Sequence, residues 1–158
     1  MKPGLSIGAV GTLTWIVDAS MVITLGGDSR ATVFSTPNMI LLMERAGREA
    51  LRPFLEPGEE SVGTEVNIQH VGGAGIGAAV LGKATVTQID GRRVNFNVEA
   101  WAGDRLLGRG THSRALVQVS RIIENLEKAS GDTGRAMTLQ ANALHDLTYE
   151  TSAEGGAA

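Results

Sequence analysis

The spacing of apolar and polar residues changes along the chain, and each change predicts an element. From Gly11 to Leu25 the run "GTLTWIVDASMVITL" is rich in β-branched and aromatic residues and is interrupted at "VDAS", which predicts a strand followed by irregular chain. "GGDSRA" reads as loop. Thr36 followed by Pro37 predicts a helix N-cap with proline at the first helical position, where a missing N–H costs nothing. From Pro37 to about Arg52 the period is helical: Met39, Ile40, Met43, Ala46, Gly47, Ala50 and Leu51 share one broad stripe, and Arg45, Arg48, Glu49 and Arg52 lie opposite. Pro53 and "EPGEES" end the helix.

After the helix the period becomes two. In "SVGTEVNIQH", Val62, Thr64, Val66, Ile68 and His70 share one face, while Ser61, Glu65, Asn67 and Gln69 share the other, so His70 is expected to end an inward row. A glycine-rich link leads to "AAVLGKATVTQI". Asp90-Gly91 then marks a two-residue hairpin turn before "RRVNFNVEAW", in which Val94, Phe96, Val98 and Ala100 alternate. A second turn at "AGD" precedes the long strand "RLLGRGTHSRALVQV". The pattern predicts an α+β domain: a short strand, one buried helix, then about four antiparallel strands. "RIIENLEKAS" reads as a short helix and the terminal "SAEGGAA" as disordered, which divides the chain into a domain over 1–125 and a tail over 126–158.

Composition narrows the partners. The 158 residues, 42% hydrophobic and 20% charged, suit one domain with one core. With 17 acidic and 14 basic residues the net charge is −3, which offers no general field for nucleic acid or an anionic membrane, and neither partner is expected. There is no cysteine, hence no disulfide framework and no thiolate metal site. No apolar run approaches the roughly 20 residues of a membrane span, and "MKPGLSIGAVG" lacks the apolar centre of a secretory signal, so a cytoplasmic protein is expected.

Several side chains invite chemistry. Glu44 borders the apolar stripe, where it reads either as an i, i+4 ion pair with Arg48 or as a partly buried carboxylate able to act as base, nucleophile or orienter of a histidine. Thr36 reads as a cap whose hydroxyl also sits beside free helix N–H groups. His70 reads either as a core or interface histidine or as a base; His112 and His145 are spaced too far apart to suggest a metal site, and no metal or other cofactor is called for. Gly73 to Ala78 fits G-x-G-x-x-[GA], but "ATVTQI" and an Asp-Gly hairpin follow where a dinucleotide fold needs a helix. Arg92, Arg93, Arg109 and Arg114 read as solvated strand charges, or as a group able to hold phosphates.

These residues also carry a resemblance. "VF-x-T" at Val33 to Thr36, "LME" at Leu42 to Glu44, "LEPGE" at Leu55 to Glu59, Gly63-Thr64, His70, "GRR" at Gly91 to Arg93 and "G-x-GTH-x-RA" from Gly108 to Ala115 resemble the fluoroacetyl-CoA thioesterase family, in its order and spacing, from about Lys2 to Asn125. The resemblance implies the hotdog fold, a curved antiparallel sheet wrapped around one central helix in a homodimer. It implies hydrolysis of a small acyl-CoA thioester by Thr36, Glu44 and His70, with the Gly63 backbone N–H at the thioester oxygen. Both routes stay open: His70 activating water, or Glu44 or Thr36 attacking first. Arg92, Arg93 and Arg114 are the candidate contacts to coenzyme A. The segment "LGGDSRATVF" is shorter than the family's lid, with Arg30 in place of an apolar gate. Pro37 and Arg45 replace a glycine and a tryptophan, so a different or broader acyl preference is expected. A non-catalytic acyl-CoA or small-molecule binding module is the alternative, and a hotdog hydratase ranks behind it because the nearest acid to His70, Glu65, lies on the opposite face.

Overall fold

The period-two segments form one five-stranded sheet in the computed structural model of the protein, which describes residues 1–130. Its strands are β1 (Val10–Ile16), β4 (Glu59–His70), β5 (Ala79–Asp90), β6 (Arg93–Ala102) and β7 (Arg105–Gln118). They run in the order β1-β5-β6-β7-β4, every neighbour antiparallel. Between β1 and the helix, β2 (Val22–Thr24) and β3 (Thr32–Phe34) pair as a small ribbon whose tip holds two 3₁₀ turns, at Leu25–Gly27 and Ser29–Ala31. The helix α1 (Thr36–Leu51) lies across the inner face of the sheet, mainly against β1 and β5. This is the hotdog arrangement.

The core is the contact between α1 and that inner face. Met39, Leu42, Met43, Ala46, Gly47, Ala50 and Leu51 are buried; Leu42 takes the place expected for Ile40, which is only half-buried. From the sheet, Val94, Phe96, Val98 and Ala100 face them, the alternation read in the sequence. Each of the larger side chains among them, such as Leu42, Met43 or Phe96, contributes about 1.5–3 kcal/mol on leaving water. The outer face is polar: one row across the strands reads Gln69, Arg109, Glu99, Lys83, Thr12.

Three local details depart from the expected pattern. The register pairs Asp90 with Arg93, so the tight turn is Gly91-Arg92, one residue later than expected, with Gly91 supplying a φ of +55° at no steric cost. In β4 the pairing slips between Gly63 and Glu65, a β-bulge that inserts Thr64 and inverts the phase of the strand. Ser61 is therefore buried and Val62 exposed, the reverse of the uninterrupted alternation, while Ile68 and His70 keep their inward side. Finally, the helix is capped by Ser35, not Thr36: Ser35 has extended backbone and its carbonyl accepts from the Met39 N–H at 3.0 Å. Thr36 is the first helical residue and Pro37 the second.

The glycine-rich link carries the chain from β4 to β5, giving the Ala74 carbonyl to the Phe34 N–H at 2.7 Å, and no helix follows it. A dinucleotide fold is thereby ruled out at this site. The chain divides into two units, Met1–Gln118 and a second beginning at Val119, of which residues 119–130 are helical. Most of the tail expected over 126–158, including its terminal stretch, lies outside the described residues.

Candidate active site

Two clusters of functional side chains emerge, at opposite ends of the α1–β4 contact. The first joins the start of α1 to the end of β4. Ser35 occupies the N-cap position, its hydroxyl accepting from the Asn38 side-chain amide at 2.9 Å, and the Thr36 hydroxyl shares a hydrogen bond of 2.8 Å with His70 Nδ1. Thr36 is exposed and His70 half-buried, so the pair is open to solvent and to a ligand.

The second cluster surrounds Glu44, eight residues further along α1, roughly 12 Å at the helical rise. A cleft of about 430 Å³ is lined there by Leu41, Glu44, Arg45, Arg48, Glu60, Ser61, Val62, Gly63 and Arg114. The expected pair between Glu44 and Arg48 does not form, because Arg48 reaches across to Glu60 on β4, with Nε 3.2 Å from Oε1. Glu44 instead points at Gly63, where any Cβ would collide with its Oε1. The bulge makes this possible by turning Gly63 inward. Gly63 and His70 sit seven residues apart on β4, roughly 20 Å at strand rise. Within one chain Thr36 and His70 thus meet, Glu44 and Gly63 meet, and the two pairs stand apart.

Beneath the second cluster lies a buried pair. Arg114, inward on β7, is 6% exposed and is held by Ser61 through Nε to Oγ at 3.0 Å and Nη2 to the carbonyl at 2.6 Å. Its Nη1 donates to the Glu44 carbonyl at 3.1 Å and to His112 Nε2 at 3.2 Å. Burial pulls the guanidinium below its ordinary pKa, opposed by the Glu44 and Glu60 carboxylates. Arg114 is therefore not the solvated strand charge its sequence context suggested. His112 is 1% exposed, stacks on Phe96 at 6.2 Å, and stands 3.9 Å from Glu44 Oε1. Sequence reasoning passed over it as too distant for a metal site. Its signal was the alternation Gly110, His112, Arg114, Leu116, which turns inward with Leu116.

The other candidate cations differ. Arg92 is half-exposed and spans from the Leu116 carbonyl, at 2.9 Å, to Glu59, at 3.0 Å; Arg93 is exposed on the same hairpin. Arg45 lies over the Trp15 ring at 5.3 Å, within cation–π reach. Arg30, at the tip of the β2–β3 ribbon, is held by Asp28 and is 89% exposed. Among the described residues no group of three or more His, Asp or Glu is placed to hold a metal ion, and no helix is long and apolar enough to cross a membrane.

Residues 17–120 match the model of the fluoroacetyl-CoA-specific thioesterase family. The chain belongs to that family. A curated family relative, the fluoroacetyl-CoA thioesterase of Streptantibioticus cattleyicolor, is 38% identical over 89 residues, 56% of this chain; the match spans 64% of the relative's own length. A solved fluoroacetyl-CoA thioesterase superposes with a TM-score of 0.71 at 29% identity, covering 79% of this chain and 97% of that one. A Thermus thermophilus protein described as a thioesterase superfamily member superposes at 0.73 with 27% identity, covering 85% and 98%. The fold agrees with that membership.

Proposed function

We propose that the chain hydrolyses a small acyl-CoA thioester to the free acid and coenzyme A, with Thr36, Glu44 and His70 as the reacting group. The reading is carried by the 2.8 Å hydrogen bond between Thr36 Oγ1 and His70 Nδ1. A histidine held at one ring nitrogen keeps its orientation and tautomer and offers the other nitrogen to substrate or water. As general base, His70 takes a proton from water as it adds to the thioester carbonyl and the thiolate leaves; where the Glu44 carboxylate adds first and expels the thiolate, His70 takes the proton from the water that then splits the acyl anhydride and restores Glu44. In both routes that proton passes to the coenzyme thiolate. Gly63, next to the bulge where the ladder is broken, offers its backbone N–H to the oxygen on which charge develops.

The two half-sites are separate in one chain, and β4 is a sheet edge with Val62 and Val66 exposed. An unpaired edge invites a strand from another chain. We read the protein as a homodimer joined at β4: antiparallel pairing about an axis near Val66 would set His70 of one copy beside Gly63 of the other and close Thr36, His70, Glu44 and Gly63 into one site. Arg92 and Arg93, on the hairpin next to the Gly63 half-site, are the cations best placed to meet phosphates of coenzyme A, with Arg114 acting from below. The ribbon tip carries the Arg30–Asp28 pair where an apolar gate was expected, which favours a broader acyl range than fluoroacetyl alone. Cytoplasm is the compartment this substrate implies.

The test is thiol release from a panel of short acyl-CoA thioesters by the parent protein and by His70→Ala. The chain has no cysteine, so every thiol detected is released coenzyme. The expected result is turnover by the parent and a loss of about 10²-fold or more in the variant. Binding of acyl-CoA without turnover would instead make the protein a binding module, and equal rates for parent and variant would remove His70 from the chemistry.

A further inference from the structure

Arg48 stands between two carboxylates of the Glu44 cleft and takes the one farther away in sequence. Glu44, four residues earlier on α1, has the spacing at which a carboxylate and a following arginine pair across one helical turn. Arg48 instead reaches Glu60 on β4 with both arms of its fork, Nε to Oε1 at 3.2 Å and Nη2 to Oε2. The two-point contact explains the preference, and Glu60 is held ready for it: its Oε1 also accepts from the Ser61 N–H at 2.8 Å. The hydrogen bond between the partners holds the Glu60 carboxyl below its ordinary pKa and the Arg48 guanidinium above its own. Arg114, from β7, gives its Nη1 to the Glu44 backbone carbonyl and not to the carboxylate. Among the described residues nothing donates a hydrogen bond to the Glu44 carboxylate, and His112 Nε2 stays 3.9 Å from it. The group, 34% exposed, faces the cleft with its lone pairs free.

We propose that Glu60 is a positioning residue that keeps Glu44 reactive by withholding Arg48 from it. The inference rests on the reading of Glu44 as the group that adds to the thioester carbonyl. A carboxylate in that role needs a free lone pair, and an arginine forked onto it would occupy both oxygens and draw off their charge. With the Glu60 charge removed, Glu44 is the carboxylate left at pairing distance along the helix, and Arg48 would close over it. The bridge from α1 to β4 thus holds a cation away from the carboxylate that its spacing favours.

Thiol release by Glu60→Gln and by the double variant Glu60→Gln/Arg48→Gln tests this. Glutamine keeps the size of the Glu60 side chain and removes the charge that holds Arg48. The single variant is expected to lose about 5- to 20-fold in kcat with KM changed less than about twofold. The double variant is expected to recover most of that loss, because no arginine is left to capture Glu44. A bridge that served only to join α1 to β4 would leave the double variant as slow as the single or slower. That result, or a folded Glu60→Gln with the parent's kcat, overturns the proposal. Carboxyl ¹³C spectra of Arg48→Gln give a second measure that keeps Glu60 in place: the Glu60 resonance is expected to move and the Glu44 resonance to stay. A Glu44 resonance that moves as far as that of Glu60 overturns the proposal even where Glu60→Gln fails to fold. An inactive parent, or a Glu44→Gln variant as fast as the parent, removes the reading on which the inference rests, an outcome distinct from an active, Glu44-dependent parent indifferent to Glu60.

Discussion

The two half-sites are built by opposite means. At Thr36 and His70, one hydrogen bond between an exposed and a half-buried side chain joins the candidate residues. At Glu44, the site depends on what is missing: Gly63 and Gly47 leave space, a bulge turns Gly63 inward, and a buried arginine and histidine fill the layer below. The open pair can be altered at little cost to the fold, whereas the packed one ties chemistry to stability. In a site divided this way, stability measurements and turnover should separate at one end and move together at the other.

Gly63→Ala should have the largest effect on both. Its Cβ would push the Glu44 carboxylate aside and press on the buried His112 ring at 3.2 Å, so thiol release should fall by about 10²-fold and urea denaturation should show a loss of about 1 kcal/mol. A variant of normal stability and rate would mean the Glu44 end is as loose as the other. Thr36→Ala comes next, with turnover lower by about 10- to 100-fold. Stability should stay within about 0.5 kcal/mol, because Ser35, not Thr36, caps α1. A clear drop in melting temperature would erase the contrast.

A smaller effect concerns pH. His112 is held below its ordinary value of 6.5 by burial, so the unfolded chain binds that proton more readily than the folded one. Stability is therefore full above about pH 6.5 and declines as the pH falls below it. Urea midpoints between about pH 7.5 and about pH 5.5 should drop more in the parent than in His112→Asn. Smallest of all, Arg30→Ala should leave both the urea midpoint and the turnover unchanged, since the Arg30–Asp28 pair is a solvated contact at a ribbon tip. A changed acyl preference in that variant would show that the tip reaches the substrate.

Legibility in the sequence followed the same division. Helical and strand periods exposed α1 and β4 to β7, because apolar spacing is set by burial on one face, and both ends carried the family pattern, in Thr36 and His70 at one and in Glu44, Gly63 and the stretch from Gly108 to Ala115 at the other. The geometry of the Glu44 end was harder. Val62, Thr64 and Val66 alternate smoothly in the sequence, so nothing local reveals that the register slips between Gly63 and Glu65; only the pairing with β7 imposes it. Glu44 and Arg48 have the right helical spacing for an ion pair, yet Glu60 on another strand wins Arg48. Arg114 looked like a surface charge because buried guanidinium groups are rare, and its partners, Ser61 and the Glu44 carbonyl, are 53 and 70 residues away. Tertiary partners of that kind leave no trace in a local window.

The bulge at Thr64 also bears on how this gene tolerates change. Removing one codon from the middle of a strand ordinarily turns every side chain on one side of the cut to the opposite face. Deletion of Thr64 would instead leave Gly63 six residues from His70, both on the inward side of an unbroken ladder, with Val62 still outward and Ser61 still beside Arg114. A single lost triplet would then do less harm here than elsewhere in the strand, and the length of the chain at this point should be guarded less strictly than the identity of Gly63.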